Sequence, residues 1–143
     1  MITASGGRGA LLAASLFAAV TVRPAVAQHP TAPAPSPSAI TPAMITLGDS
    51  VFHGTAGGGT CAVCHGANAK GTPGLAPDLT DAKWLNGDGS YGFIVGVVQQ
   101  GVAEPKESPA PMPPMGGATL SAEQVRAVAA YVYALSHPEH RGP

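Results

Sequence analysis

Residues Thr60–Asn68 read TCAVCHGAN and hold both cysteines of the 143-residue chain. Two thiols three residues apart, followed at once by a histidine, admit a small set of chemistries. A structural zinc site needs four ligands, and one Cys-x-x-Cys pair usually meets a second pair elsewhere. Here the remaining histidines, His29, His53, His137 and His140, fall in a proline-rich stretch, at a helix end and in the C-terminal tail. A dithiol redox pair opens a helix after a strand in a βαβ unit, and no such unit surrounds Cys61 and Cys64. A plain disulfide would leave His65 without a role.

The remaining chemistry is covalent attachment of haem, for which Cys-x-x-Cys-His is the specific signature. On one helical turn Cys61 and Cys64 share a face and can form thioethers to the two vinyl groups on one porphyrin edge. His65, four residues after Cys61, projects from that face toward the iron.

Outward from the motif, the chain opens with Arg8 and then a 13-residue apolar run, ALLAASLFAAVTV, over residues 10–22. Arg23-Pro24 breaks the run, and Ala25-Val26-Ala27 offers small residues where a signal peptidase cuts. This pattern predicts a secretory leader over residues 1–27, the run being shorter than the roughly 20 residues a membrane span needs. The protein is therefore expected in the periplasm or another extracytoplasmic space, where covalent haem attachment is made. Membrane association is expected only through a partner complex or an uncleaved leader.

Residues 28–42, which include HPTAPAPSPSAITP, are rich in proline, alanine and serine and show no apolar periodicity, the composition of an extended tether. The folded unit is expected over residues 43–137, with 138–143 as a tail. A core of that size with so few aromatic residues is marginal without a staple, and a large apolar cofactor would supply the missing volume. Cleavage after Ala27 removes Arg8 and Arg23 from the 7 basic side chains, leaving 5 against 8 acidic ones and a net charge of −3. That balance argues against nucleic acid or an anionic membrane surface as a partner and permits docking on a complementary protein.

The folded unit reads as short helices between long glycine- and proline-rich loops, with no internal repeat and no convincing strand. Met44–His53 places Ile45, Leu47, Val51 and Phe52 at helical spacing, with Gly54 as a stop. Within Ser90–Gln100, FIVGVV resembles a buried strand. Tyr91, Ile94, Val97 and Val98 nevertheless fit one helix face and Gly101 suits a helix end, which predicts a helix. Leu120–Ser136 carries a capping box in Ser121 and Gln124, and Val125, Val128, Val132 and Leu135 recur at helical spacing.

Between about Ile45 and Leu135 the chain resembles the class I, mitochondrial-type monohaem cytochromes c, and especially their small bacterial members. Gly48 and Phe52 match a glycine and an aromatic in that family's first helix. Val128 and Tyr131 correspond to the aliphatic and aromatic pair of the last helix, which packs across the first. Pro77 stands 12 residues after His65, where the family has a proline whose carbonyl accepts the histidine ring N–H. The family's glycine before that proline is Ala76 here. Trp84 lies where some members hydrogen-bond a haem propionate, although ordinary core packing accounts for a tryptophan equally well. Residues 112–121, MPPMGGATLS, resemble the family's Met-Pro-x-Phe-Gly-Gly-x-Leu-Ser, with methionine for phenylalanine and one residue inserted before Leu120.

The resemblance implies an all-α class I cytochrome c fold, short helices and long loops wrapped around one covalently bound haem c. Cys61 and Cys64 would form the thioethers, with His65 and a methionine as axial ligands. Met44 lies on the wrong side of the motif. Met112 fits the family register, and Met115 is the alternative in the same proline-flanked loop. Such an iron has no open position for a small-molecule substrate, so no catalytic residue is required. The implied function is transfer of single electrons between redox partner proteins, as a free carrier or as the haem-c subunit of a dehydrogenase or oxidase complex. A ligand-sensing or peroxidase protein would instead need an iron that loses its methionine.

Overall fold

The computed structural model describes residues 1–3 and 36–140. The chain divides into two units, Met1–Ala32 and Pro33–Pro143, and the second holds every element discussed here. The expected leader and most of the expected tether lie outside the described residues. No helix among the described residues is long and apolar enough to cross a membrane.

Helix α1 spans Pro42–Phe52, and Thr41 caps it by accepting from the Met44 N–H. It begins two residues before the periodicity suggests, because proline in the first helical turn has no N–H to leave unpaired. His53 closes the helix and Gly54 follows at φ 79°, the left-handed conformation that suits a helix end.

Helix α2 is the single turn Cys61–His65, ended by Gly66 at φ 77°. Helix α3 spans Tyr91–Gln100, capped by Ser90 at one end and closed by Gly101 at the other. Helix α4 spans Ala122–Ser136. Its capping box is complete, with the Gln124 N–H donating to Ser121 Oγ at 3.2 Å and the Ser121 N–H donating to Gln124 Oε1 at 2.8 Å. Short 3₁₀ turns at Pro37–Ala39, Pro114–Gly117 and Pro138–His140 complete the regular structure. Two isolated antiparallel bridges, Thr72 with Ala76 and Val102 with Met112, are the β-type pairings of the described residues.

The core forms where α1 crosses α4 and α3 packs beside them, burying Val51, Phe52, Tyr91, Ile94 and Val128. The crossing is close because Gly48 has no side chain: a Cβ there would lie 2.0 Å from the Ala127 carbonyl oxygen and 2.7 Å from Tyr131 Cβ. Four residues on, the Phe52 ring meets that of Tyr131 at 5.3 Å between centroids.

Helix α3 settles the strand-like appearance of FIVGVV, with its buried face made by Tyr91, Ile94, Val95 and Val98. Val97, expected on that face, is only half-buried and lines a cleft instead, so the face is turned by part of a residue from the expected one. The buried Tyr91 hydroxyl donates to the Arg126 carbonyl at 3.1 Å, which ties α3 to α4.

Candidate functional site

One large apolar cleft, about 1140 Å³ including its open mouth, runs between α2, α3 and the loop before α4. Cys61, Cys64 and His65 line one wall, Met112 lines the cleft from the loop, and Pro77 and Trp84 contribute to its rim. The structure thus brings together six residues spread over 52 positions of sequence.

The cysteines are free thiols, not bonded to one another. Burial pushes the Cys61 thiol above its ordinary value, and bonds to backbone groups only partly oppose it. A protonated, half-buried thiol is the reverse of the activated thiolate a redox pair uses. No group of three or more His, Cys, Asp or Glu side chains among the described residues could hold a metal ion alone. Zinc and dithiol chemistry therefore both fit poorly.

His65 Nδ1 lies 3.1 Å from the Pro77 carbonyl oxygen. A carbonyl only accepts, so Nδ1 carries the proton and the Nε2 lone pair is left for a metal. Burial pushes the imidazole below its ordinary value, opposed by the Pro77 bond, so the ring is kept neutral as ligation requires. The bond also fixes the ring's tautomer and orientation.

Trp84 sits over Gly89, where a Cβ would come within 2.2 Å of the indole, and meets Phe93 edge-on at 6.3 Å. Its Nε1–H is buried with no hydrogen-bond partner among the described residues. A buried donor left unpaired is costly unless a bound group accepts from it. The carboxylate of a bound macrocycle fits that need, and the thiols, the neutral imidazole and the thioether are the donor set of haem c.

The two methionines of the loop differ in place. The backbone of Met112 is held at both ends by Val102, whose N–H donates to the Met112 carbonyl at 2.9 Å and whose carbonyl accepts from the Met112 N–H at 3.0 Å. Met115 packs half-buried against the hydrophobic core, with its backbone in the left-handed region at φ 53°.

Several functional-looking contacts carry no sequence signature. His53 points Nε2 at the Ala67 carbonyl (2.8 Å), in the loop just past the motif, and Nδ1 at the Asp49 carbonyl (3.0 Å). Thr60 Oγ1 and Ser108 Oγ each donate to a distant carbonyl. Single hydroxyls and ring nitrogens bonded to main-chain oxygens leave no motif, because any residue supplies the acceptor.

The fold and the cleft define a c-type cytochrome domain. Residues 46–132 match the family model for the cytochrome c oxidase, cbb3-type, subunit III, and the chain belongs to that family. It is 36% identical over 99 residues to the cbb3-type cytochrome c oxidase subunit CcoP of Rubrivivax gelatinosus, covering 69% of this chain and 28% of the relative. It is 34% identical over 99 residues to subunit FixP of Rhizobium meliloti strain 1021, covering 68% and 30%. The chain thus spans less than a third of the curated relatives it matches. Among solved structures, cytochrome cL of the marine methylotroph Methylophaga aminisulfidivorans MPT aligns at TM-score 0.47 and 23% identity, over 63% of this chain and 53% of that one.

Proposed function

We propose that residues 43–137 bind one haem c and pass single electrons between redox partner proteins outside the cytoplasm. The observation that carries this reading is the convergence on one apolar cleft of Cys61, Cys64, a neutral His65 oriented by Pro77, and Met112. When bound, haem supplies one-electron Fe(II)/Fe(III) cycling, and a neutral thioether ligand raises its potential relative to bis-histidine ligation. The protein's own part is to hold and shield. Cys61 and Cys64 would anchor the group, and His65 Nε2 and Met112 Sδ would ligate its iron. Val97, Val98, Val128 and Val132, which line the cleft, would keep water from it. An iron held by both residues would leave no position for a substrate, and the domain's partners would be electron donors and acceptors.

A second reading makes the domain a permanent haem-c subunit of an oxidase, anchored through a membrane complex. The named oxidase subunits among the relatives favour it over a free carrier. The deciding experiments are simple. Pigment that survives denaturation and acid–acetone extraction, at one iron per chain, supports covalent attachment at Cys61 and Cys64. Pigment stripped by acid–acetone sinks that attachment. Purification as a free monomer favours the carrier, and stable co-purification with a catalytic subunit favours the oxidase component.

A further inference from the structure

Thr60 stands at the N-cap of α2, where a threonine ordinarily turns its hydroxyl onto the helix's own first N–H groups. Here it makes no such bond. Its Oγ1 donates instead to the Gly116 carbonyl, 56 residues away, at 2.6 Å. The residue that begins the cysteine turn thus spends its hydroxyl on the segment just after Met112.

A second strap lies on the other side of that methionine. The Val102–Met112 bridge closes residues 103–111 into a loop. Ser108, inside that loop, donates to the Leu75 carbonyl at 2.6 Å. Leu75 is two residues before Pro77, whose carbonyl holds His65. The Ala110 N–H donates into the same Ser108 oxygen at 3.4 Å, which orients the hydroxyl toward Leu75. The methionine segment is therefore fastened before and after Met112 to the wall that carries the cysteines and the histidine. Both straps are partly or fully exposed, single and short, so neither is a core contact.

We infer that Thr60 and Ser108 are positioning residues that keep the Met112 thioether at the iron. The inference rests on the reading of Met112 as the sixth ligand. A thioether is a weak, neutral ligand whose residence depends on how rarely its loop swings away. Each hydroxyl-to-carbonyl bond removes part of that freedom, and losing one leaves its carbonyl to water and the loop freer to move. An external ligand competing for the same iron position reads this freedom directly, because its apparent affinity scales with the fraction of loops that are open.

The test uses oxidised holoprotein, imidazole as the competing ligand, and the weak long-wavelength absorption that reports an iron–thioether bond. Thr60→Val keeps the shape and removes the donor, and Ser108→Ala does the same at the other end of the loop. Each is expected to tighten imidazole binding by roughly three- to tenfold, the worth of one hydrogen bond. Thr60→Ser and Ser108→Thr, which keep the hydroxyl, are expected to stay within about twofold of the parent. Parental imidazole affinity in Thr60→Val or in Ser108→Ala, with the thioether band present, overturns the role of that residue. A parent protein that lacks the band, or keeps it in Met112→Leu, overturns the ligand assignment itself and this inference with it. The Ser108→Ala arm keeps the test decisive if Thr60→Val fails to load haem.

Discussion

Two glycines in helix interiors make a paired prediction of opposite sign. An added Cβ at Gly48 would stand 2.0 Å from the Ala127 carbonyl oxygen, 2.6 Å from its carbon and 2.7 Å from Tyr131 Cβ. Those are main-chain and Cβ atoms that no rotamer change can move, so α1 and α4 must part. Overpacking of this kind costs about 1–3 kcal/mol, at the upper end where backbone is in the way, while replacing a helical glycine returns about 1 kcal/mol. Gly48→Ala is expected to lose about 2 kcal/mol, a fall in Tm of roughly 8–16 °C for a domain of this size. Gly96 lies inside α3 with nothing within 4 Å of where its Cβ would be. Gly96→Ala therefore keeps only the helical gain, about 0.5–1 kcal/mol, and raises Tm by a few degrees. Thermal melts of the two holoproteins at one pH measure both. A Gly48→Ala protein as stable as the parent refutes the close-crossing argument. A Gly96→Ala loss comparable to that of Gly48→Ala refutes the claim that space decides the sign.

Trp84→Phe removes a buried donor that no described protein group satisfies. Haem-loaded protein should lose roughly 1–2 kcal/mol of stability and change the pH dependence of its potential. A potential whose pH dependence is that of the parent would mean the indole N–H meets no haem carboxylate. His53 faces acceptors with both ring nitrogens, and the Ala67 and Asp49 carbonyls, then the Asp49 charge, hold its pKa above the ordinary 6.5. A raised folded-state value adds stability that is complete below pH 6.5 and lost as pH rises through the folded value. His53→Gln should flatten that decline in denaturant melts taken across the range, and an unchanged profile would assign it to another group. Replacing each loop methionine by leucine should abolish the iron–thioether absorption for Met112 and spare it for Met115, and the reverse pattern would move the ligand. A variant with serine at both Cys61 and Cys64 should lack a cooperative melt, because the cleft at the centre of its core has no filling. A native-like transition would show that the helices suffice.

What the sequence made legible followed from periodic or spaced signals. The Ser121–Gln124 box located α4, and the apolar spacing located α1. The residues of the cleft wall were legible because haem attachment requires one rigid spacing within a single turn. The limits of α1 and the face of α3 were less so. Thr41 and Pro42 read as tether by composition, although proline is also a good first residue of a helix. Val95 and Val97 are chemically alike, and only packing against α4 decides which is buried. The alanines of α4 were missed as core for a related reason. Ala127, Ala129 and Ala130 are fully buried, and at Ala127 the reason is a glycine on α1 that brings that helix close, a property of the pair rather than of either segment.

The crossing of α1 on α4 also fixes an order of events. Phe52 ends the first helix and Ala122 begins the last, so 69 residues separate the two halves of the interface. Closing a loop of that length costs on the order of 4 kcal/mol in chain entropy before any contact offsets it. During synthesis the first helix therefore waits, without its partner, while the cysteine turn and the methionine loop emerge. Through that interval the cleft that Cys61 and Cys64 line lacks Val128 and Val132, the part of its lining that α4 supplies. The last helix to be made is thus the one that completes both the crossing and the cleft.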